Sequence, residues 1–145
     1  MPTVGIKRLP SGEALSLPSY ATPGSAGMDL RAAHAGTIRP RFRALIPCGI
    51  SLAIPPGWEG QIRPRSGLAL NHGITVLNAP GTIDSDFRGE IAVVLVNLGN
   101  QDWEYAYGDR IAQLVLTPVA RAELIECEEL PRTLRGSGGM GSTGV

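Results

Sequence analysis

The pattern of apolar and polar positions along the chain is that of short strands. Residues 90–98, EIAVVLVNL, form the strongest strand segment and are apolar on both faces in their middle, so both faces should be covered. Residues 58–63 alternate large and polar side chains, as a half-buried strand does. Residues 3–7, 50–54 and 74–77 read as shorter strands, and 37–46 has strand composition with Pro40 marking an edge or a bulge. Residues 110–116 and 119–127 predict two further strands separated by Pro118. Only 66–71, SGLALN, reads as a helix, short and with Ser66 able to cap it. Pro55-Pro56-Gly57, Asn78-Ala79-Pro80-Gly81 and Asn97-Leu98-Gly99-Asn100 are turn sequences. Roughly eight to ten strands with turns every eight to twelve residues predict an all-β sandwich or barrel.

Composition strengthens that reading. Nineteen glycines and twelve prolines are spread through 145 residues, which leaves little room for long helices and fits one domain. Thirteen basic residues balance thirteen acidic ones, which removes the electrostatic case for stable nucleic-acid or membrane-surface binding. Any polyanion must therefore be held by a local cluster. Cys48 and Cys127 lack a metal-like spacing and read as free thiols in a reducing compartment, with a disulfide left open. The first residues, MPTVGIKRLP, break any apolar run, and the longest apolar stretch, 91–96, is far below the ~20 residues that span a bilayer. A cytoplasmic protein is the expectation. Near Pro131 the composition shifts to a glycine-rich tail that cannot join a core.

Five stretches carry residues that chemistry uses. The tail RGSGGMGSTG (135–144) nearly matches the phosphate-loop pattern, but Ser142 stands where lysine belongs and no helix follows, so a P-loop is rejected. Its glycines still let backbone N–H groups converge on phosphate, and Arg135, Ser137, Ser142 and Thr143 add donors. It is either a floppy terminus or an arm that folds over a polyphosphate. In PRSGLA (64–69), a serine and an arginine at a helix start form an anion-binding set or merely a cap. In GTIDSDFRGE (81–90), the charged residues crowd a β-hairpin tip. Alternatively, strand alternation puts Asp84, Asp86 and Arg88 on one face, where a carboxylate could deprotonate water. Asp29 in AGMDLRA (26–32) is either a turn residue or held at a strand start. Gln113 in GDRIAQL (108–114) alternates with Ile111 on an inward face, where a lone amide needs partners. His34 and His72 have no ligand set around them, and Trp58 and Trp103 read as packing residues.

Together with the loop that begins at Asn78, these five stretches resemble, in order, the five motifs of the trimeric dUTPase family. The resemblance implies a single-domain, jelly-roll-like distorted β-barrel over 1–130 and a flexible arm, 131–145, that closes the active site. It implies hydrolysis of dUTP to dUMP and pyrophosphate, with Mg2+ as cofactor, in a homotrimer whose active sites lie at subunit interfaces. That activity limits uracil incorporation into DNA and supplies dUMP for thymidylate synthesis. Carried over by residue, Asp84 would activate the attacking water, and Asp29 would hold hydrated Mg2+ through water. Arg65, Ser66 and Gly67 would contact the phosphates, with Ser66 near the α–β bridging oxygen and Gln113 on phosphate or an ordered water. Asn78 and the backbone of Gly81, Thr82, Ile83 and Asp84 would read the uracil edge. Arg135, Ser137, Gly138, Ser142 and Thr143 would form a lid supplied by a neighbouring subunit.

Two positions depart from the family pattern. Phe87 replaces a tyrosine that packs under the deoxyribose, and it keeps the ring face, so discrimination against UTP should survive. Met140 replaces a phenylalanine that stacks on uracil; a thioether covers a base without aromatic stacking. A dCTP deaminase shares the fold but lacks the arm and the loop carrying the water-activating aspartate. A non-catalytic nucleotide-sensing module is the rival from another class, and Asp29, Ser66, Asp84 and Gln113, all present, argue against it.

Overall fold

The computed structural model describes residues 1–142 and 144. Ten strands form in chain order: β1 (Gly5–Arg8), β2 (Met28–Arg31), β3 (Gly36–Ile38), β4 (Arg43–Ala53), β5 (Trp58–Arg63), β6 (Ile74–Val76), β7 (Gly81–Ile83), β8 (Glu90–Asn97), β9 (Trp103–Tyr105) and β10 (Arg110–Pro118). One α-helix among the described residues, α1 (Ser66–His72), lies between β5 and β6, and a 3-10 turn spans Pro10–Gly12. Two four-stranded sheets, ordered β1-β4-β8-β6 and β2-β10-β5-β7, and a β3-β9 ribbon surround one core. The first sheet contributes Ile46, Ile50, Val93 and Leu95 to that core, and the second contributes Leu30, Ile62, Ile83 and Leu114. The all-β, jelly-roll-like expectation therefore holds.

Several boundaries differ from the sequence reading, each for a local reason. The 37–46 segment is two strands, because the chain turns at Arg41, whose φ is 69°. The β4–β8 pairing slips after Pro47, which has no N–H to give. Ser66 is not the cap of α1. Arg65 holds that position without a side-chain cap bond, and Ser66 is the first helical residue, exposed at its start. The predicted strand at 119–127 does not form. Pro118 ends β10, and beyond it no strand in the protomer pairs with the chain, leaving Leu124 and Ile125 exposed to solvent.

Asn97, read as a turn residue, is instead the fully buried end of β8. Its amide donates to the Ile38 and Gln101 carbonyls (2.7 and 2.8 Å), and its oxygen accepts from the Gly99 N–H (2.9 Å). Every polar atom is satisfied, as burial demands. Strand β8 buries Ile91, Val93 and Leu95 on one face, as predicted, while the other face is only partly covered, with Val96 buried and Ala92 and Val94 half-buried. There Val94 lies opposite Leu45, which is 65 % exposed. Cys48 is buried and Cys127 exposed, and both are free.

Candidate functional site

A cavity of about 260 Å³ opens where the edge strand β7 meets β8. Strand β7 supplies Gly81, Thr82 and Ile83, and the loop before it supplies Asn78. Asp84 and Phe87 follow on the far side, with Ile62 of β5 and residues 90–92 of β8 completing the wall. Gly81 and Ile83 turn inward and Thr82 outward, by strand alternation.

The segment after β7 departs from the sequence reading. The Phe87 N–H donates to the Asp84 carbonyl (3.2 Å), so 84–87 is a turn, and Asp84, Asp86 and Arg88 do not follow strand alternation. Nor is it a two-stranded hairpin: β7 pairs with β5, and β8 pairs with β4 and β6, so 84–89 crosses between sheets. Arg88 braces the crossing by donating to the Ser85 and Phe87 carbonyls (2.7 and 2.8 Å). The Phe87 ring lies against Gly89, where an added Cβ would sit 2.6 Å from its Cζ. Asp84 itself is exposed at the cavity rim.

Glu90 also lines the cavity, and its Oε1 accepts from the Gly49 N–H (3.0 Å) and the Ser11 hydroxyl (3.3 Å). Nearby, burial first and the Glu90 carboxylate second push the Cys48 thiol up to about 12. Cys48 is therefore a neutral thiol at neutral pH and no nucleophile.

A second cluster stands on the outer face of the β2-β10-β5-β7 sheet. Asp29 of β2 and Gln113 of β10 are register partners. Arg65 Nε lies 3.1 Å from Asp29 Oδ1, and Arg110 Nη1 lies 3.3 Å from Oδ2. Arg65 Nη1 also donates to the Arg110 carbonyl (3.0 Å). Gln113 does not share an inward face with Ile111. A register shift between Arg110 and Ala112 sends Ile111 and Ala112 both into the core and turns Gln113 outward. Its Nε2 donates to the Pro64 carbonyl (2.9 Å), fastening β10 to the loop before α1. Gly27 makes room for this amide, since a Cβ there would overlap Gln113 Oε1. Ser66 and Gly67 begin α1, whose first intrahelical donor is Ala69, so their own N–H groups remain free for another acceptor.

Both Asp29 oxygens already face arginines, and no group of three metal-ligating side chains occurs among the described residues. A divalent cation here would find one carboxylate, Asp29, and could be met only through water.

The arm bonds to itself. Arg135 Nε donates to the Gly138 carbonyl (2.9 Å), Gly138 N–H to the Arg135 carbonyl (3.0 Å), and Ser142 N–H to the Gly139 carbonyl (3.0 Å). Ser137 and Met140 are exposed, and Met140 has φ 47°. Thr143 lies outside the described residues.

The structure thus brings Asn78, Gly81, Thr82, Ile83, Asp84 and Phe87 together, and separately Asp29, Arg65 and Gln113 with Ser66 and Gly67 close by; among the described residues the arm joins neither group. Sequence reasoning missed Arg110, Ile62 and Glu90. Arg110 lies in the same motif as Gln113, but its reach to Asp29 depends on the bulge. Ile62 and Glu90 enter only through sheet pairing.

The model of the family described as dUTPase matches residues 13–144. The chain is 58 % identical over 147 residues to the deoxyuridine 5'-triphosphate nucleotidohydrolase of Methylocella silvestris, covering 99 % of this chain and 92 % of that protein. It is 57 % identical over 143 residues to the same-named protein of Anaeromyxobacter sp., covering 98 % and 97 %. A dUTPase variant of Staphylococcus bacteriophage 80alpha, solved with dUpNHpp, superposes with a TM-score of 0.86 at 25 % identity, covering 99 % of each chain.

Proposed function

The chain belongs to the dUTPase family, and from that premise we propose that it hydrolyses dUTP to dUMP and pyrophosphate, with Asp84 activating the attacking water. The observation that carries this reading is the position of Asp84. It stands on the rim of the cavity walled by the very residues proposed to read the base. Asn78 and the backbone of Gly81 to Asp84 select uracil by donor–acceptor match, which excludes cytosine, and disfavour thymine through its extra methyl. Phe87 offers its ring face to the deoxyribose. Asp84 accepts a proton from water as that water attacks phosphorus.

Asp29, Arg65, Ser66, Gly67 and Gln113 hold the triphosphate, with Ser66 at the α–β bridge. Arg65 and Arg110 against the single Asp29 carboxylate leave a local positive surplus on a chain of zero net charge. Asp29 would hold Mg2+ through water, and the ion would supply charge compensation for the triphosphate when bound. The residues of the chain do the rest: they bind, orient and keep competing water away. Arg135, Ser137, Gly138, Met140, Ser142 and Thr143 fold over the bound nucleotide as a lid.

We also propose a homotrimer with shared sites. Asp29 lies on β2 and Asp84 follows β7, opposite edges of one sheet with β10 and β5 between. Three strand spacings separate those edges by roughly 14 Å. Asp84 serves a phosphate held at Asp29 and Gln113 more readily when the two come from different copies. The partly covered face of β8, with the exposed Leu45 beside Val94, offers apolar area for such contact. No helix among the described residues is long and apolar enough to cross a membrane, and the two free thiols fit a reducing, cytoplasmic setting. There the reaction would limit uracil incorporation into DNA and supply dUMP for thymidylate synthesis.

The test measures turnover of dUTP, dCTP, dTTP and UTP side by side with magnesium. Pyrophosphate release from dUTP alone is expected, falling ~10²- to 10⁴-fold in Asp84→Asn. Ammonia release from dCTP, or unchanged turnover in Asp84→Asn, would sink the reading.

A further inference from the structure

Arg63 lies outside every motif discussed so far. It sits on β5, and its register partner across the sheet is Gln113, whose partner on the other side is Asp29. Residues directly opposite in antiparallel strands share a face, with Cβ atoms ~5 Å apart. Asp29, Gln113 and Arg63 therefore form one row on the outer face. Asp29 has its two arginines; Arg63 has no carboxylate within 4.0 Å among the described residues.

Its guanidinium is nonetheless held. Nε and Nη2 both donate to Gln61 Oε1 (3.0 and 2.6 Å), and Gln61 Nε2 donates to Glu59 Oε1 (2.8 Å). A neutral amide fixes the plane of the group without cancelling its charge. Beside it lies a cavity of about 430 Å³ lined by Gln61, Arg63, Pro64, Ala79, Pro80 and Gln113. Two sides of that space are the amide proposed to meet phosphate and a pre-oriented, uncompensated cation. A guanidinium so placed suits a phosphate oxygen better than a solvated surface, because its orientation is already set.

Resting on the proposed hydrolysis of dUTP, we propose that Arg63 is a further substrate-binding residue, contacting the polyphosphate beside Gln113. With Arg65 and Arg110 it makes three arginines against Asp29 and the more distant Glu59, a net positive surplus for a triphosphate. Gln61 then acts as a positioning residue, since it touches the guanidinium and not the substrate.

The experiment titrates the full chain with dUpNHpp and with deoxyuridine, for wild type, Arg63→Ala and Arg63→Lys. Arg63→Ala is expected to weaken dUpNHpp binding ~10- to 100-fold while deoxyuridine binding changes less than about twofold. The salt dependence of dUpNHpp binding should flatten, and Arg63→Lys should recover part of the affinity because the charge returns without the fork. Unchanged dUpNHpp affinity overturns the proposal. Equal losses for both ligands, or a change of oligomeric state by sedimentation, also overturn it, because Arg63 would then act through folding or assembly. Wild-type turnover of dUTP is measured first; its absence defeats the parent reading, whereas a silent Arg63→Ala on an active enzyme defeats only this one.

Discussion

The base cavity and the arginine row use opposite physics. The cavity is walled by Ile62, Ile83 and Ile91 with the Phe87 ring, and its carboxylates, Asp84 and Glu90, are exposed at its edge. Shape and a few hydrogen-bonding groups choose the ligand there. The row is all charge and amide: Asp29 between Arg65 and Arg110, with Gln113 alongside. Charge there is concentrated locally, while the chain as a whole is neutral. On the proposed function neither half suffices for hydrolysis: one would supply a base for water and nothing to hold phosphate, the other the reverse. The two halves lie at opposite edges of one sheet, and under the proposed assembly they would make one site where copies meet.

The largest effect tests that division directly. Asp84→Asn and Asp29→Asn should each lose ~10²-fold or more of dUTP turnover. Co-assembled from equal amounts, the two inactive variants should regain roughly a quarter of wild-type activity, because sites that draw one residue from each of two neighbours are rebuilt with that frequency in a random closed ring. No regain on mixing would mean that both residues act within one protomer, and the shared site would be wrong.

A narrower cut leaves the base cavity alone. Gly27→Ala puts a Cβ where Gln113 Oε1 lies and displaces the amide that ties β10 to Pro64. A displacement of about 1 Å at a positioning group can cost up to ~10²-fold, so kcat/KM for dUTP should fall ~10- to 100-fold. Deoxyuridine affinity should stay within about twofold. If deoxyuridine binding falls as far, the two halves are not energetically separate.

The same contrast explains what was legible in the sequence. Residues 58–63 were read correctly from their alternation, and 90–98 was read as a strand from its apolar run, though it ends at Asn97 and has one face only partly covered. The motif residues were legible as residue types, and Asn78, Gly81, Asp84 and Phe87 line one cavity. Tertiary partners were not legible. Residues 119–127 have strand composition yet find no strand to pair with in the protomer. Gln113 faces outward because a bulge resets its alternation, and no periodicity predicts a bulge. Arg110 and Arg63 join the row through cross-strand register, a property of pairs and not of either segment alone.

A smaller effect concerns what covers the base. Met140 is exposed in an arm that bonds only to itself. Sulfur–aromatic contact contributes ~0.3–1.5 kcal/mol, while base–aromatic stacking contributes ~1–3 kcal/mol. Met140→Phe should therefore raise kcat/KM for dUTP severalfold, by ~1 kcal/mol, through lower KM or higher kcat. The substitution adds nothing to the arginine row, so pyrophosphate inhibition should not change. Steady-state constants equal to wild type would remove Met140 from the lid.

The smallest effect probes how dry the interior behind the base cavity is. Cys48 has its thiol pushed from 9.0 up to about 12, by burial first and Glu90 second. A raised pKa means that the folded state favours the neutral thiol, so this contribution is complete below pH 9 and is lost as pH rises toward 12. Within that window the wild type should lose at most about 1.4 kcal/mol of stability per pH unit to this group. Burial raises the Tyr105 phenol from 10.0 as well, so part of the alkaline loss belongs to it. Cys48→Ala leaves a cavity and should be less stable at pH 8, which makes the slope, not the level, the readout. Urea midpoints at pH 8 and 10.5 should fall more steeply for wild type than for Cys48→Ala. Parallel slopes would mean that water reaches Cys48 readily, and the contrast between a dry half and a charged half of the site would be weaker than its geometry implies.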